Sequence, residues 1–293
     1  MAEEEVSRRR IKQIEVMVSE TIRETHDTST VVFFTGNDRL NYKPGHFLTI
    51  DPHQFRALER FIAYLEDEKG RKEPPRAYSL FSAPHEQYLA TTVKEETYQS
   101  GVTRYPPLLS PLLVNRLPVG TKVVVVTGFT GPYTLPDDIE SRTDHVVHIC
   151  AGSGSVPNMS ILKYALKHHP TIRHTFLYGN KTWADVIYAK QLRAMQDAHP
   201  DTLKVVHALS RERKDDTAEL IVNGRISRDL VRAQVPDSDS AEFFVCGPGI
   251  TKWDTLRAKE AGAKPAPRFL ESTLAILDDL GIKKEKVHRE SYG

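Results

Sequence analysis

Cysteine is almost absent from this chain, and its scarcity excludes several classes of protein. Among 293 residues there are two cysteines, Cys150 and Cys246, and each lies beside a glycine-rich segment. A disulfide-stabilised scaffold is therefore not expected. Two thiols also cannot supply the four thiolates that an iron–sulfur cluster takes from its protein. If the protein passes electrons to such a cluster, we expect the cluster on another chain or on a segment missing from this one.

Long hydrophobic runs and an excess of charge are absent as well. The longest apolar stretches, such as residues 123–126, are too short to cross a bilayer, and the acidic residues 1–5 lack the apolar core of a signal peptide. The 40 basic residues against 39 acidic ones give a net charge of +1, which does not indicate nucleic-acid binding. We therefore expect a cytoplasmic protein with no membrane or nucleic-acid partner, although a local basic patch for an acidic protein is compatible with this balance.

What is present is enough apolar sequence, 39% of the chain, for one large or two ordinary domains. The first half consists mainly of short alternating or β-branched segments separated by turns. The predicted strands are residues 14–18, 30–34, 47–50, 88–93 and 122–127. Many short strands with few helices are typical of a small closed antiparallel β-barrel.

One segment of the first half has a different period. Between residues 53 and 69, apolar side chains recur at helical spacing, and Lys69-Gly70 follows them. We predict an inserted amphipathic helix at residues 53–69. The helix could be a lid packed on the barrel, or it could contact a ligand or a partner.

The pattern changes after about residue 139. Predicted strands at residues 145–151, 173–178, 203–208 and 242–245 alternate with predicted helices at 158–167 and 183–197. A further apolar helical face falls between residues 261 and 280, and we expect it to be scaffold, with a partner surface as the alternative. Strands that alternate with helices of this length indicate a parallel sheet with right-handed crossovers. We predict two domains: a β-barrel over residues 1–138 and an α/β parallel-sheet, Rossmann-like nucleotide-binding domain over residues 139–293.

The segment Arg76-Ala77-Tyr78-Ser79 combines a cation, an aromatic ring and a small hydroxyl. Alternate residues of a strand share a face, so Arg76 and Tyr78 lie on the same side. A guanidinium fork suits a diphosphate, while Tyr78 could stack on a flat ring and Ser79 could reach its polar edge. These are the needs of a flavin. An ordinary strand that happens to carry Tyr and Ser is the alternative when the motif is taken alone.

The segment Gly152-Ser153-Gly154-Ser155-Val156-Pro157 follows a predicted buried strand and opens a predicted helix. Glycines let the backbone approach a pyrophosphate, and a helix N-terminus favours negative charge. Because Pro157 occupies the last position, this is not the G-x-G-x-x-G pattern of ordinary dehydrogenases.

Two further segments, Cys246-Gly247-Pro248-Gly249 and Glu290-Ser291-Tyr292-Gly293, complete the set. In this order the four segments resemble the ferredoxin–NADP reductase family over nearly the whole chain. Within that family the chain looks like the reductases of phenylacetyl-CoA and benzoyl-CoA oxygenases, without an iron–sulfur domain. The resemblance implies that FAD and NADP are the cofactors. It also implies that electrons pass from NADPH through FAD to a ferredoxin or an oxygenase component on a separate chain.

The resemblance also implies which residues bind the cofactors. For FAD they are Arg76, Ala77, Tyr78, Ser79, Thr92, Val93, Lys94 and Ser110. For the pyridine nucleotide they are Gly152, Gly154, Pro157, Cys246, Gly247, Pro248 and Tyr292. Ser110 follows Gly101 at a longer interval than the family has, so its phosphate role competes with that of an ordinary helix N-cap.

Four residues are implied as catalytic: Ser79, Cys246, Glu290 and Tyr292. Cys246 would lie beside the nicotinamide as a positioning group, against the alternative of a buried structural thiol. Glu290 would lie near Ser79 and relay a proton. Tyr292 would cover the flavin until the nicotinamide displaces it, against the alternative that Tyr292-Gly293 begins a linker.

The preference for NADPH depends on Ser210 and Arg211, which follow a predicted strand at the sheet edge where ligands bind. A hydroxyl and a guanidinium there could hold a 2′-phosphate, and NADPH-using members of the family have a similar pair. Lys181 is a further candidate contact. A charged loop without a ligand is the alternative. For the whole chain, the alternatives are a diaphorase or flavin reductase that uses free flavin or quinone, the reductase domain of a larger fused protein, and a regulatory nucleotide-binding module.

Overall fold

The computed structural model describes residues 12–36, 40–100, 103–127, 131–214 and 219–292. Gly101 and Gly293, named above, lie outside these ranges. Among the described residues, no helix combines the length and the apolar character that crossing a membrane requires.

The first half forms one six-stranded antiparallel sheet. Its strands are β1 (Lys12–Thr25), β2 (Thr28–Phe34), β3 (Phe47–Ile50), β4 (Arg76–Ser79), β5 (Leu89–Lys94) and β6 (Lys122–Thr127). They are arranged in the order β4-β3-β6-β1-β2-β5. An isolated bridge between Leu80 and Thr91 joins the two edges of the sheet. The sheet thereby closes into the predicted barrel at this single bridge.

The long strand β1 holds the barrel together because it pairs with both β2 and β6. Register shifts between Val18 and Glu20 and between Arg23 and Thr25 interrupt its ladder with β2. Such irregularities bend and twist a strand, as closure requires. The alternating Val16 and Val18 are buried in the barrel core, as their period of two predicts.

The inserted helix is present, but it starts later than predicted. Two 3-10 turns, Pro52–Gln54 and Arg56–Leu58, precede α1 (Glu59–Lys69), which ends at Gly70 in the left-handed conformation. Ile62 and Leu65 are buried against Leu108 in a small cluster of their own. The helix therefore packs on the segment that leads to the short helix α2 (Ser110–Asn115), apart from the barrel core.

The second half is a six-stranded parallel sheet. Its strands are β7 (His145–Ala151), β8 (Arg173–Asn180), β9 (Leu203–Leu209), β10 (Ile221–Asn223), β11 (Glu242–Pro248) and β12 (Val287–Tyr292), in the order β10-β9-β8-β7-β11-β12. Its helices are α3 (Ile139–Arg142), α4 (Ser155–His168), α5 (Ala189–Ala198), α6 (Arg228–Gln234), α7 (Lys252–Glu260) and α8 (Phe269–Asp279). The prediction of a β-barrel followed by a parallel α/β domain is confirmed.

The helix predicted at residues 183–197 is wrong in extent. A 3-10 turn occupies Trp183–Asp185, and Tyr188 has a positive φ of 62° immediately before α5 begins at Ala189. The sequence reading also did not identify β10, β12, α6 and α7.

The change of architecture falls between Thr127, where β6 ends, and His145, where β7 begins. Tyr133, Leu135 and Ile139 are buried in a cluster that belongs to the α/β half. The boundary between residues 138 and 139 lies within this interval and remains a proposal.

The two halves are in close contact. The rings of Phe81 and Tyr188 stack with centroids 4.7 Å apart. The Tyr188 hydroxyl donates to Thr92 on the barrel, and Lys163 on α4 forms an ion pair with Glu86 at 2.6 Å. These contacts fix the cleft that separates β4 from the carboxyl ends of the parallel strands.

Candidate functional site

Strand β4 lies at an incomplete seam of the barrel. Leu80 bridges Thr91, but along the described strands the pairing does not continue to Tyr78 and Val93. Tyr78 is half-buried, and Ser79 is buried next to the bridge. Burial also raises the pKa of the Tyr78 phenol, so it stays neutral. The seam therefore presents an aromatic ring and a hydroxyl beside backbone that lacks a strand partner, which is a suitable surface for a flat polar-edged ring.

The side chains of Thr92, Val93 and Lys94 on β5 all contact other parts of the protein. The Thr92 hydroxyl lies 2.7 Å from that of Thr30 and accepts from Tyr188. The Lys94 ammonium is 2.7 Å from Asp27, and Val93 is buried in the barrel core. Contacts from this segment to a cofactor would therefore come from its main chain.

Ser110 is the first residue of α2, and its hydroxyl accepts from the backbone N–H of Glu96 at 3.0 Å. The N-cap position belongs to Leu109, whose side chain makes no capping hydrogen bond. The ordinary N-cap alternative is therefore wrong, because the hydroxyl is directed to the preceding loop. The phosphate role of Ser110 stays a prediction.

The glycine turn adopts the predicted strand-to-helix geometry. It forms a 3-10 turn over Gly152–Gly154, with Gly152 at a φ of 52°, before α4 begins. A Cβ on Gly154 would lie 2.2 Å from the carbonyl oxygen of Cys246. Glycine is therefore required where this turn meets the end of β11. Pro157 is buried in the first turn of α4, where its missing N–H costs no hydrogen bond.

Cys246 lies near the carboxyl end of β11, one strand in from the edge of the sheet. It is in register with Cys150 on β7 and with Glu290 on β12. Both cysteines are free and buried. Burial, with Glu290 and Cys150 nearby, raises the pKa of Cys246 well above its usual value. The thiol stays protonated, which suits a packing or positioning role and not nucleophilic attack.

The residues after Cys246 are also constrained. A Cβ on Gly247 would lie 2.4 Å from the ring of Phe269, and Pro248 is paired with Tyr292. The start of the loop after β11 therefore lies beside the end of β12.

The last strand brings the two halves of the site together. The Tyr292 phenol, half-buried on β12, lies near the Ser79 hydroxyl on the barrel. Burial and the neighbouring Cys246 and Glu290 raise the pKa of Tyr292, against the opposing effect of the Ser79 hydroxyl. Four residues predicted as catalytic, Ser79, Cys246, Glu290 and Tyr292, thus lie around one cleft.

Glu290 is the unusual carboxyl of this cleft. Within the described part of the chain its buried Oε2 atom has no hydrogen-bond partner. Burial raises the pKa of Glu290 from 4.5 to about 7. Near neutral pH such a carboxyl can both accept and release a proton.

A second region lies at the carboxyl ends of β8 and β9. The backbone N–H of Ser210 donates to the carbonyl of Asn180 at 3.0 Å, and that of Arg211 donates to Lys181 at 2.8 Å. The side chains of Lys181, Ser210 and Arg211 are exposed. The last two line a surface depression of about 400 Å³ together with Leu209, Glu212, Arg213, Asn223 and Gly224. The predicted 2′-phosphate residues are therefore close neighbours.

Both regions fit the groups that the sequence predicts. The barrel seam offers Tyr78 and Ser79, β12 offers the buried Glu290 carboxyl atom without a partner, and the glycine turn offers a helix N-terminus with no side chain in the way. The sequence analysis did not identify Asp27 and Tyr188, which bind the side chains of Lys94 and Thr92 on β5. Neither residue belongs to a motif that could have revealed it.

Known proteins are similar to this chain in sequence and in fold. Residues 148–252 match the family model of the oxidoreductase NAD-binding domain. The chain is 27% identical over 287 residues to the ferredoxin reductase component of 3-ketosteroid-9-alpha-monooxygenase from Rhodococcus rhodochrous, which covers 96% of this chain and 65% of the relative. It is 30% identical over 177 residues to NADH-cytochrome b5 reductase 2 from Saccharomyces cerevisiae, which covers 58% of this chain and 55% of that protein. The matched region thus spans 65% and 55% of the lengths of these two curated relatives.

Solved structures have the same architecture. The flavohem-like FAD/NAD-binding domain of nitric oxide dioxygenase from Vibrio cholerae superposes with a TM-score of 0.69 at 22% identity, covering 96% of this chain and all of that one. Ferredoxin-NADP+ reductase from Plasmodium falciparum gives a TM-score of 0.65 at 17% identity, with 96% of each chain covered. Together these findings show that the chain contains an oxidoreductase NAD-binding domain, has the two-domain fold of these solved structures and is similar to ferredoxin reductase components over most of its length.

Proposed function

We propose that the protein oxidises NADPH with bound FAD and delivers the electrons to an iron–sulfur protein, a ferredoxin or an oxygenase component, on a separate chain. The observation that carries the proposal is the meeting of Tyr292 and Ser79 across the cleft, with Cys246 and Glu290 beside them. A relative covering most of this chain is named as the ferredoxin reductase component of a monooxygenase, which supports an acceptor of this kind.

FAD, when bound, would supply the exchange between electron pairs and single electrons. The protein's residues would provide the geometry. Tyr78 and Tyr292 would hold the ring system from the barrel and from β12, and Ser79 would present its hydroxyl to the ring's polar edge. The nicotinamide would enter where Tyr292 now lies, over Cys246. Holding both rings in one cleft is itself a large part of the rate acceleration.

Glu290 would move the proton that accompanies the electrons. Its pKa of about 7, raised by burial, keeps both of its protonation states populated near neutrality. Glu290 and Tyr292 are two residues apart on β12 and therefore share a face of the strand, so displacement of the Tyr292 ring would change the surroundings of the carboxyl.

The preference for NADPH is supported by the charges at the second region. Arg211 and Lys181 are exposed cations beside the Ser210 hydroxyl. The neighbouring carboxylate, Glu212, accepts from the backbone N–H of Trp183 at 2.5 Å. Glu212 also lines the depression, and the cations beside it favour a 2′-phosphate over the 2′-hydroxyl of NADH.

The experiment starts with the visible spectrum of the purified protein and identification of the flavin it releases. Anaerobic addition of NADPH should then bleach the flavin, faster than NADH at equal concentration. Cytochrome c reduction should depend on added ferredoxin. Rapid reduction of free flavin or quinone without any ferredoxin requirement would favour a diaphorase, and a bound flavin that NADPH does not bleach would contradict the proposal.

A further inference from the structure

Glu73 is a buried carboxylate that none of the roles above uses. It lies between the end of α1 and the start of β4, and it is only 1% exposed. A buried carboxylate must be compensated by charge and hydrogen bonds, because the cost of removing it from water is otherwise several kcal/mol. Its partners therefore indicate what it is for.

Those partners come from both neighbouring elements. The Lys69 ammonium at the end of α1 is 2.5 Å from Oε1, and the Arg76 guanidinium at the start of β4 is 2.6 Å from Oε2. The backbone N–H of Glu73 donates to Glu66 on α1 at 2.8 Å. Burial opposes ionisation, but the hydrogen bonds from Lys69 and Arg76 outweigh it and lower the pKa of Glu73. The carboxylate is therefore charged at neutral pH.

Arg76 is held at two points. Its Nη2 donates to Glu73 and its Nη1 donates to the carbonyl of Pro74, each at 2.6 Å. A guanidinium has five N–H groups in a rigid plane, so two fixed bonds define the plane and leave three donors uncommitted to these acceptors. Lys69 and Arg76 carry two positive charges against the two negative charges of Glu73 and Glu66, so the cluster offers an anion the uncommitted N–H groups of Arg76 and not a surplus of charge.

We propose that Glu73 is a positioning residue for the diphosphate of the flavin cofactor, and that it acts by fixing the guanidinium plane of Arg76. The inference rests on the proposed function, since it requires FAD in the cleft. It also gives the inserted helix a role, because α1 supplies Lys69 and Glu66, which hold Glu73 in place. The helix thus supports the cofactor site through its contacts with Glu73.

The test compares two ligands that share a ring system, of which FAD alone carries the diphosphate and its adenosine. Dissociation constants for FAD and for riboflavin are measured by fluorescence titration of the flavin-free protein, for the parent protein and for Glu73→Gln. Glu73→Gln removes the charge-assisted hydrogen bond that orients Arg76. We therefore expect the variant to bind FAD about tenfold more weakly, while its affinity for riboflavin changes less than about twofold. Glu68→Gln, on the exposed side of α1, is the matched control and should leave both constants unchanged.

Two further variants make the result decisive. Glu73→Asp keeps the charge but shortens its reach, so it should weaken FAD alone even if Glu73→Gln does not fold. In an Arg76→Ala background, Glu73→Gln should have no further effect on FAD, because Glu73 acts through Arg76.

Three outcomes would overturn the inference. Tighter or unchanged FAD binding in Glu73→Gln would mean that the carboxylate competes with the phosphate or ignores it. Equal losses for FAD and riboflavin would indicate support of the fold alone, as would a full effect in the Arg76→Ala background. Absence of flavin binding by the parent protein would instead refute the proposed function, and the inference would fail with it.

Discussion

Replacing Glu290 by Gln should change the pH dependence of stability in a defined direction. In the folded protein, burial raises the pKa of Glu290 from 4.5 to about 7. The folded state therefore binds the proton more tightly than the unfolded chain does. The stabilisation that this carboxyl contributes is complete below about pH 4.5 and is lost as the pH rises through about 7. Gln has a similar shape and does not titrate, so its variant should lack this loss.

The magnitude follows from the size of the pKa difference. At about 1.4 kcal/mol per pKa unit, the full effect corresponds to about 3 kcal/mol of unfolding free energy. Glu290 is half-buried, so partial solvent screening reduces the expected effect to about 2 kcal/mol. As the pH rises from 5 to 8, the free energy of unfolding of Glu290→Gln should therefore increase by about 2 kcal/mol relative to that of the parent protein.

The assay is urea unfolding at several pH values from 5 to 8, on protein freed of flavin so that no ligand covers the cleft. The free energy of unfolding is extrapolated to water for each pH. Glu260→Gln, an exposed carboxyl at the end of α7, serves as the control and should run parallel to the parent protein. A difference between Glu290→Gln and the parent that stays constant over the whole range would refute the elevated pKa and, with it, the proton-relay role.

Three other changes have expected results. Arg211→Ala should raise the KM for NADPH at least tenfold and leave that for NADH unchanged, because a charge-assisted bond to phosphate is worth about 1.5–3 kcal/mol; equal losses in steady-state kinetics would exclude Arg211 from the phosphate site. Tyr292→Ser should raise the affinity for oxidised nicotinamide nucleotide and slow turnover, as followed by difference spectroscopy, and unchanged affinity would mean that the ring does not cover the site. Gly154→Ala should destabilise the protein by about 1–3 kcal/mol, since its Cβ would strike the Cys246 backbone. In the same unfolding assay Gly179→Ala, whose Cβ would have its closest neighbours at 3.6 Å, should cost much less.

The elements that sequence reasoning identified are those whose apolar pattern ends at clear turn residues. Strands β6 and β7 were predicted with the ends that the structure has, because each is a continuous run of β-branched or apolar residues. Strand β12 was not predicted, since Val287–Tyr292 is mostly polar and lies at the edge of the sheet. Its pairing with β11 decides its conformation, and that information is not local. Glu290 and Tyr292 were nevertheless singled out, through the resemblance of the chain's ending to a family pattern.

The occupied side chains of β5 could not be foreseen for a similar reason. Lys94 is paired with Asp27, 67 positions earlier, and Thr92 accepts from Tyr188, 96 positions later. A motif specifies residue types along one segment, whereas these partners are brought in by the closure of the barrel and by the docking of the second domain.

At the start of α5, tertiary packing overrides the local preference for a helix. Residues 183–197 have helical periodicity, yet Tyr188 adopts a φ of 62°, which costs a residue other than glycine about 1–3 kcal/mol. Its ring is 2% exposed and stacks on Phe81, and its hydroxyl reaches Thr92 on the barrel. Burying about 200 Å² of aromatic surface at about 25 cal/mol per Å² contributes about 5 kcal/mol, which exceeds the backbone cost. The helix therefore starts at Ala189, directly after Tyr188, and the residue that interrupts the helical pattern is the one that joins the second domain to the strand that closes the barrel.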